Sequence, residues 1–168
     1  MIRVAVSFAV LALLATSAAA QQQPMNMPGG AMHETTSNEP YHPGLGDLMM
    51  AFVQPRHIKL GLAGAAQNWA YAAYALHELG ETFDNIGKLV PKHGNLDIPP
   101  AIGATVSPPM EALDKAIKAK DKAAFTKAYA DLTNGCNACH QSADHPMIVI
   151  KVPDVAGAAF SDQDFGAK

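Results

Sequence analysis

The chain holds only two cysteines and one tryptophan in 168 residues, and aromatic residues make up 7% of it. Two cysteines exclude the disulfide framework of a small secreted scaffold, and no second pair completes a structural zinc site, which takes about four ligands. Charge is also scarce, at 16% of residues with 12 basic against 15 acidic, and a net charge of −3 excludes the strongly basic surface that binds nucleic acid. β-Branched residues are sparse before residue 148 while alanine is abundant, a balance that favours helices over sheets. After the N-terminal segment no run of about twenty uninterrupted apolar residues occurs, so no membrane span is predicted there. No acid and base pair stands out as catalytic, and the chain is not expected to be an enzyme.

The first residues read as an export signal. Arg3 supplies a positive start, Val4 to Leu14 an apolar stretch, and Ala18-Ala19-Ala20 a small-residue cleavage site before Gln21. Residues 1–20 are thus a predicted signal peptide, and a bacterial periplasm is the expected address. Losing Arg3 with the signal takes the net charge from −3 to about −4. Residues 21–43 are rich in Gln, Pro, Gly, Asn, Ser and Thr and are predicted to form a flexible leader. Met25, Met27, Met32, His33 and His42 have ligand chemistry suited to copper, but without a defined spacing they read as parts of a tether.

Residues 44–145 are predicted to form one helical domain. The first helical pattern runs from Gly46 to about Gly64, with Pro55 expected to kink or restart it because it lacks a backbone donor. In the second, capped by Asn68, Trp69, Leu76, Phe83 and Val90 recur every seven residues, with Ala72 or Ala73, Leu79 and Ile86 between them. Pro91 to Val106 reads as a long loop. Ser107-Pro108-Pro109 resembles a capped helix start, followed by the stripe Met110, Leu113, Ile117 and an end near Lys120. Asp121 then caps a last helix whose apolar face is Phe125, Tyr129, Leu132, Cys136, Cys139. Amphipathic helices at a seven-residue period predict an all-α fold, an antiparallel four-helix bundle preceded by the leader. Pro146 ends the last helix, and the apolar run Met147 to Val152 opens a C-terminal tail, residues 146–168, expected to pack on the bundle.

Chemistry is concentrated in Cys136-Asn137-Ala138-Cys139-His140. This is the attachment pattern of c-type haem. Positions i, i+3 and i+4 share one helical face, so two sulfurs can bond the haem vinyls while an imidazole reaches the iron from the same side. A disulfide across so short a loop would constrain little of the unfolded chain, and a thioredoxin-like motif would belong beside a βαβ unit. One covalent haem c is therefore the expected cofactor, with His140 the proximal iron ligand. Gly135 interrupts the helix just before, consistent with a close backbone approach to the porphyrin or with simple packing.

With this motif near the end of the last of four helices, the chain resembles the class II c-type cytochromes, the cytochrome c prime family, over residues 45 to about 143. The resemblance implies a first-helix arginine at a haem propionate and, four places on, a residue over the open iron face. Arg56 and Leu60 match that spacing. His57, where the family often has glutamine, is a candidate distal ligand, as are Met49 and Met50. His77, His93 and His145 are further histidines near the motif or the helical stripe. These features lead to an expected exported monohaem one-electron carrier that meets redox partner proteins in the periplasm. The alternative is a five-coordinate protein binding nitric oxide or carbon monoxide beneath Leu60. Relatives of this fold often form homodimers, and Gly61, Ala63 and Gly64 are small enough to serve such a contact or internal packing.

Overall fold

The computed structural model describes residues 41–154 of the chain. The predicted signal peptide, the leader through residue 40 with Met25, Met27, Met32 and His33, and tail residues 155–168 lie outside the described residues. Within them the fold is all-α apart from one short hairpin.

The first helical segment is continuous but not uniform. Helix α1, Leu45–Leu48, passes into a π-helical turn, Met49–Val53, and then into α2, Gln54–Ala65. The cause is Pro55, which cannot donate to the carbonyl four residues earlier. The backbone inserts one residue instead, with Gln54 N–H bonded to the Met49 carbonyl five positions back, and Pro55 falls in the first turn of α2, where its missing donor costs little. Helix α3, Trp69–Leu89, starts as its sequence suggests, with the Asn68 side chain accepting from Tyr71 N at 3.1 Å. Its seven-residue stripe faces inward through Ala72, Leu76, Leu79, Phe83 and Ile86.

Residues 91–106 are not the loop their prolines and glycine suggest. Strands β1, Lys92–His93, and β2, Leu96–Asp97, pair antiparallel with His93 opposite Leu96, and Gly94 turns between them at φ 57°. Helix α4, Ile98–Thr105, follows directly. Pro99 and Pro100 lie in its first turn, where backbone donors have no intrahelical partner, so residues that normally punctuate loops here open a helix.

Helix α5 is Ser107–Ala119, and Ser107 is its first helical residue rather than its cap. Val106 takes the capping position, closing α4 by donating to Ile102 O and opening α5 by accepting from Met110 N, so the two helices abut without a linker. Lys120, at φ 54°, ends α5 in a left-handed conformation. Asp121 then caps α6, Lys122–Ser142, through Oδ1 accepting from Ala123 N and Ala124 N.

One core joins these elements. Leu60 of α2, Leu79 and Ile86 of α3, Leu113 of α5 and Leu132 of α6 are its fully enclosed large side chains. Helix α5 packs along α6 and α2 along α3, while α4 lies against α6. A Cβ on Gly135 would fall on the carbonyl oxygen of Thr105, so this glycine lets the end of α4 lie directly on α6. Its reason within the chain is helix packing.

Candidate functional site

An apolar cavity of about 220 Å³ opens where the π turn, the hairpin, α4, α6 and the tail converge. The π turn contributes Met49, Met50 and Val53, α4 contributes Ile98 and Ile102, and the tail contributes Ile148 and Ile150. Cys136, Cys139 and His140 of α6 line the same cavity. Their spacing of three and four explains why one wall holds all of them.

Both cysteines are free thiols. Burial, with the neighbouring Cys139 second, pushes the Cys136 thiol up to about 11, and burial raises Cys139 as well. A redox-active dithiol requires the opposite, a thiolate stabilised at neutral pH. These thiols are instead neutral groups set in an apolar wall.

His140 is held by its ring nitrogen Nδ1, 2.9 Å from the carbonyl oxygen of Ile148. A carbonyl only accepts, so Nδ1 carries a proton, which leaves Nε2 as the nitrogen that can offer a lone pair. That is the tautomer a metal-ligating histidine needs, with the other nitrogen donating to a backbone carbonyl. The same reasoning puts a proton on Nδ1 of His145, which bonds the Ala143 carbonyl, and the His145 ring lies 5.5 Å from that of His93. Both line the cavity. His77 is elsewhere, in an exposed pairing with Glu81.

The candidate residues of the first helix separate. Met49, Met50 and His57 line the cavity, whereas Arg56 and Leu60 do not. Arg56 bonds Phe52 O at 3.2 Å, lies over the Phe52 ring and approaches Glu78 at 3.6 Å. Leu60 is enclosed in the helical core.

His57 is buried and committed at both ring nitrogens. Nε2 is 3.0 Å from Thr133 Oγ1, and Nδ1 is 3.0 Å from the Tyr129 hydroxyl, whose ring stacks on the imidazole. Tyr129 also donates to the His57 carbonyl at 2.6 Å, and Thr133 to the Tyr129 carbonyl at 2.9 Å. Burial lowers the His57 pKa to about 4 and holds the Tyr129 phenol well above its usual range, so both are neutral at pH 7.

Asn137, Thr133 and the backbone of Ile148 and Ile150 are site groups that the spacing of the motif does not mark. Asn137 lies inside the motif yet is polar, and the β-branched run ten residues on needs cover; together these were the available signals. Among the described residues no cluster of three or more His, Cys, Asp or Glu side chains is arranged to hold a bare metal ion. No helix among them is long and apolar enough to cross a membrane. Comparison with protein-family profiles, with curated proteins and with solved structures finds no match to this chain.

Proposed function

We propose that the chain is an exported monohaem c-type cytochrome of the cytochrome c prime type, an antiparallel four-helix bundle that carries single electrons between periplasmic partners. The observation that carries this reading is the shared cavity wall. Two neutral, unbridged thiols and an imidazole with a free Nε2 face one apolar space, and this donor set fits haem c: thiols for the vinyl groups, a nitrogen for the iron. When bound, the haem supplies a one-electron iron couple whose potential depends on its ligands and its burial. Cys136 and Cys139 tether it, His140 ligates it, and the aliphatic walls from α4 and the tail exclude water. Nothing in this role needs an acid or base catalyst.

The test is expression of the exported chain together with a cytochrome maturation system. The expected result is a haem that stays attached after denaturation, raises the mass by one haem and gives a Soret band. Replacing both Cys136 and Cys139 by alanine abolishes the attachment. Mature protein without haem overturns the reading and turns attention to metal binding by the leader's methionines and histidines.

A second reading, a five-coordinate protein that binds nitric oxide or carbon monoxide, is favoured by one observation. Both ring nitrogens of His57 lie 3.0 Å from protein hydroxyls, Thr133 and Tyr129, so this histidine reaches iron only by leaving that buried cluster. A reduced spectrum that shifts on adding carbon monoxide supports the gas binder, and one that does not shift supports the carrier.

A further inference from the structure

The apolar run after α6 is attached to that helix at defined points. Asn137 grips Ile150 in both senses, with Nδ2 donating to Ile150 O at 3.0 Å and Oδ1 accepting from Ile150 N at 2.7 Å. One side-chain amide thereby reproduces the paired bonding of adjacent strands and sets the register of the run against α6. Two residues earlier in the run, the Ile148 carbonyl accepts from Nδ1 of His140. Asn137 and His140 are three apart on one helix, so the two attachments lie side by side.

The chain between them is compact. Asp144, at φ 60°, ends α6, His145 N bonds back to His140 O, and Ile148 N bonds to His145 O. This turn brings residue 148 back to the helix, but it does not by itself keep a carbonyl on a half-exposed imidazole. Ile148 is 45% exposed, and water competes for its backbone unless the strand beyond it is held.

We propose that Asn137 is a positioning residue for His140: by clamping Ile150 it keeps the Ile148 carbonyl on Nδ1, and this bond sets the tautomer, orientation and basicity of the imidazole. The proposal rests on the haem reading above. A histidine that donates from Nδ1 is a stronger donor at Nε2 and stabilises the more highly charged, oxidised iron. The clamp therefore lowers the reduction potential of the haem.

The experiment compares holoprotein of wild type, Asn137→Ala and Asn137→Gln, with Asn134→Ala as the control, an exposed amide one turn earlier on the same face that lies beside the tail without bonding Ile150. In Asn137→Ala the midpoint potential rises by the equivalent of about a three- to tenfold shift in the ferric to ferrous ratio, about 30–60 mV at roughly 59 mV per tenfold for one electron. The Ile150 amide loses its protection from hydrogen exchange in the same variant. Asn137→Gln, which keeps both bonding functions on a longer arm, recovers part of each effect, and Asn134→Ala changes neither. Asn137→Leu removes both bonding functions at similar volume and with good helix propensity, and carries the same two expectations should Asn137→Ala not fold. A potential that stays at the wild-type value while Ile150 loses protection overturns the proposal and leaves the haem reading standing. Wild-type protein without covalent haem overturns both, and its mass reveals this before any variant is compared.

Discussion

Replacing His57 with phenylalanine is expected to remove an acid-sensitive component of stability. Four close contacts connect His57, Tyr129 and Thr133, yet with the ring neutral these groups carry only three bonding protons, so one contact has no proton in it. The imidazolium would fill all four, but burial opposes the charge strongly enough to bring the pKa from 6.5 to about 4. In the window between those values the unfolded chain binds the proton and the folded chain does not. Stability is therefore full above pH 6.5 and falls as pH drops toward 4. At about 1.4 kcal/mol per tenfold change in proton affinity, the loss is about 3 kcal/mol. In His57→Phe the Tyr129 hydroxyl still donates to the backbone carbonyl of residue 57 and Thr133 to that of Tyr129, so no buried donor is orphaned. The larger ring adds a packing cost of about 1–3 kcal/mol that does not depend on pH. Urea unfolding followed by circular dichroism at pH 7, 6, 5 and 4 measures both proteins. Wild type is expected to lose about 3 kcal/mol relative to the variant across that range. Parallel pH profiles would refute the claim that His57 is buried neutral.

Three further outcomes are expected. Gly135→Ala gains about 1 kcal/mol of helix propensity but drives a methyl into the Thr105 carbonyl, a backbone atom that cannot swing aside; a net loss of about 1–2 kcal/mol in chemical denaturation is expected, and a gain would show that α4 does not rest on α6 there. Asp121→Ala removes the acceptor for Ala123 N and Ala124 N and should cost about 1 kcal/mol, whereas Asp121→Ser should restore most of it. In the chain with both thiols free, Cys136 should be alkylated by iodoacetamide at pH 8 at least about tenfold more slowly than an exposed thiol, because burial keeps it protonated, and equal rates would argue against the enclosed wall.

Helical periodicity was the most legible signal in this chain. The α3 stripe from Ala72 to Ile86 and the α6 stripe from Phe125 to Leu132 are buried as the seven-residue period requires, because a helix has one way to hide such a face. The caps Asn68 and Asp121 were legible for a related reason, since their bonds run to donors two or three residues away. Residues 91–106 misled because proline has opposite meanings at a helix start and in a loop, and nothing local distinguishes them. The fate of Pro55 was legible as a disturbance, but its form, a π turn that places Met49, Met50 and Val53 on the cavity, was not.

Sequence alone determined the groups available for chemistry: two thiols and an imidazole at helical spacing, on the same face because helix geometry is local. Tertiary structure decided what surrounds them, since those contacts join residues far apart in the chain. The ring nitrogens of His57 are taken by Tyr129 and Thr133, Leu60 is enclosed in the core away from the cavity, and the Ile148 carbonyl sits on His140. Such pairings depend on how α2, α6 and the tail pack, and packing is settled by the sum of buried surfaces and satisfied polar groups rather than by any one spacing.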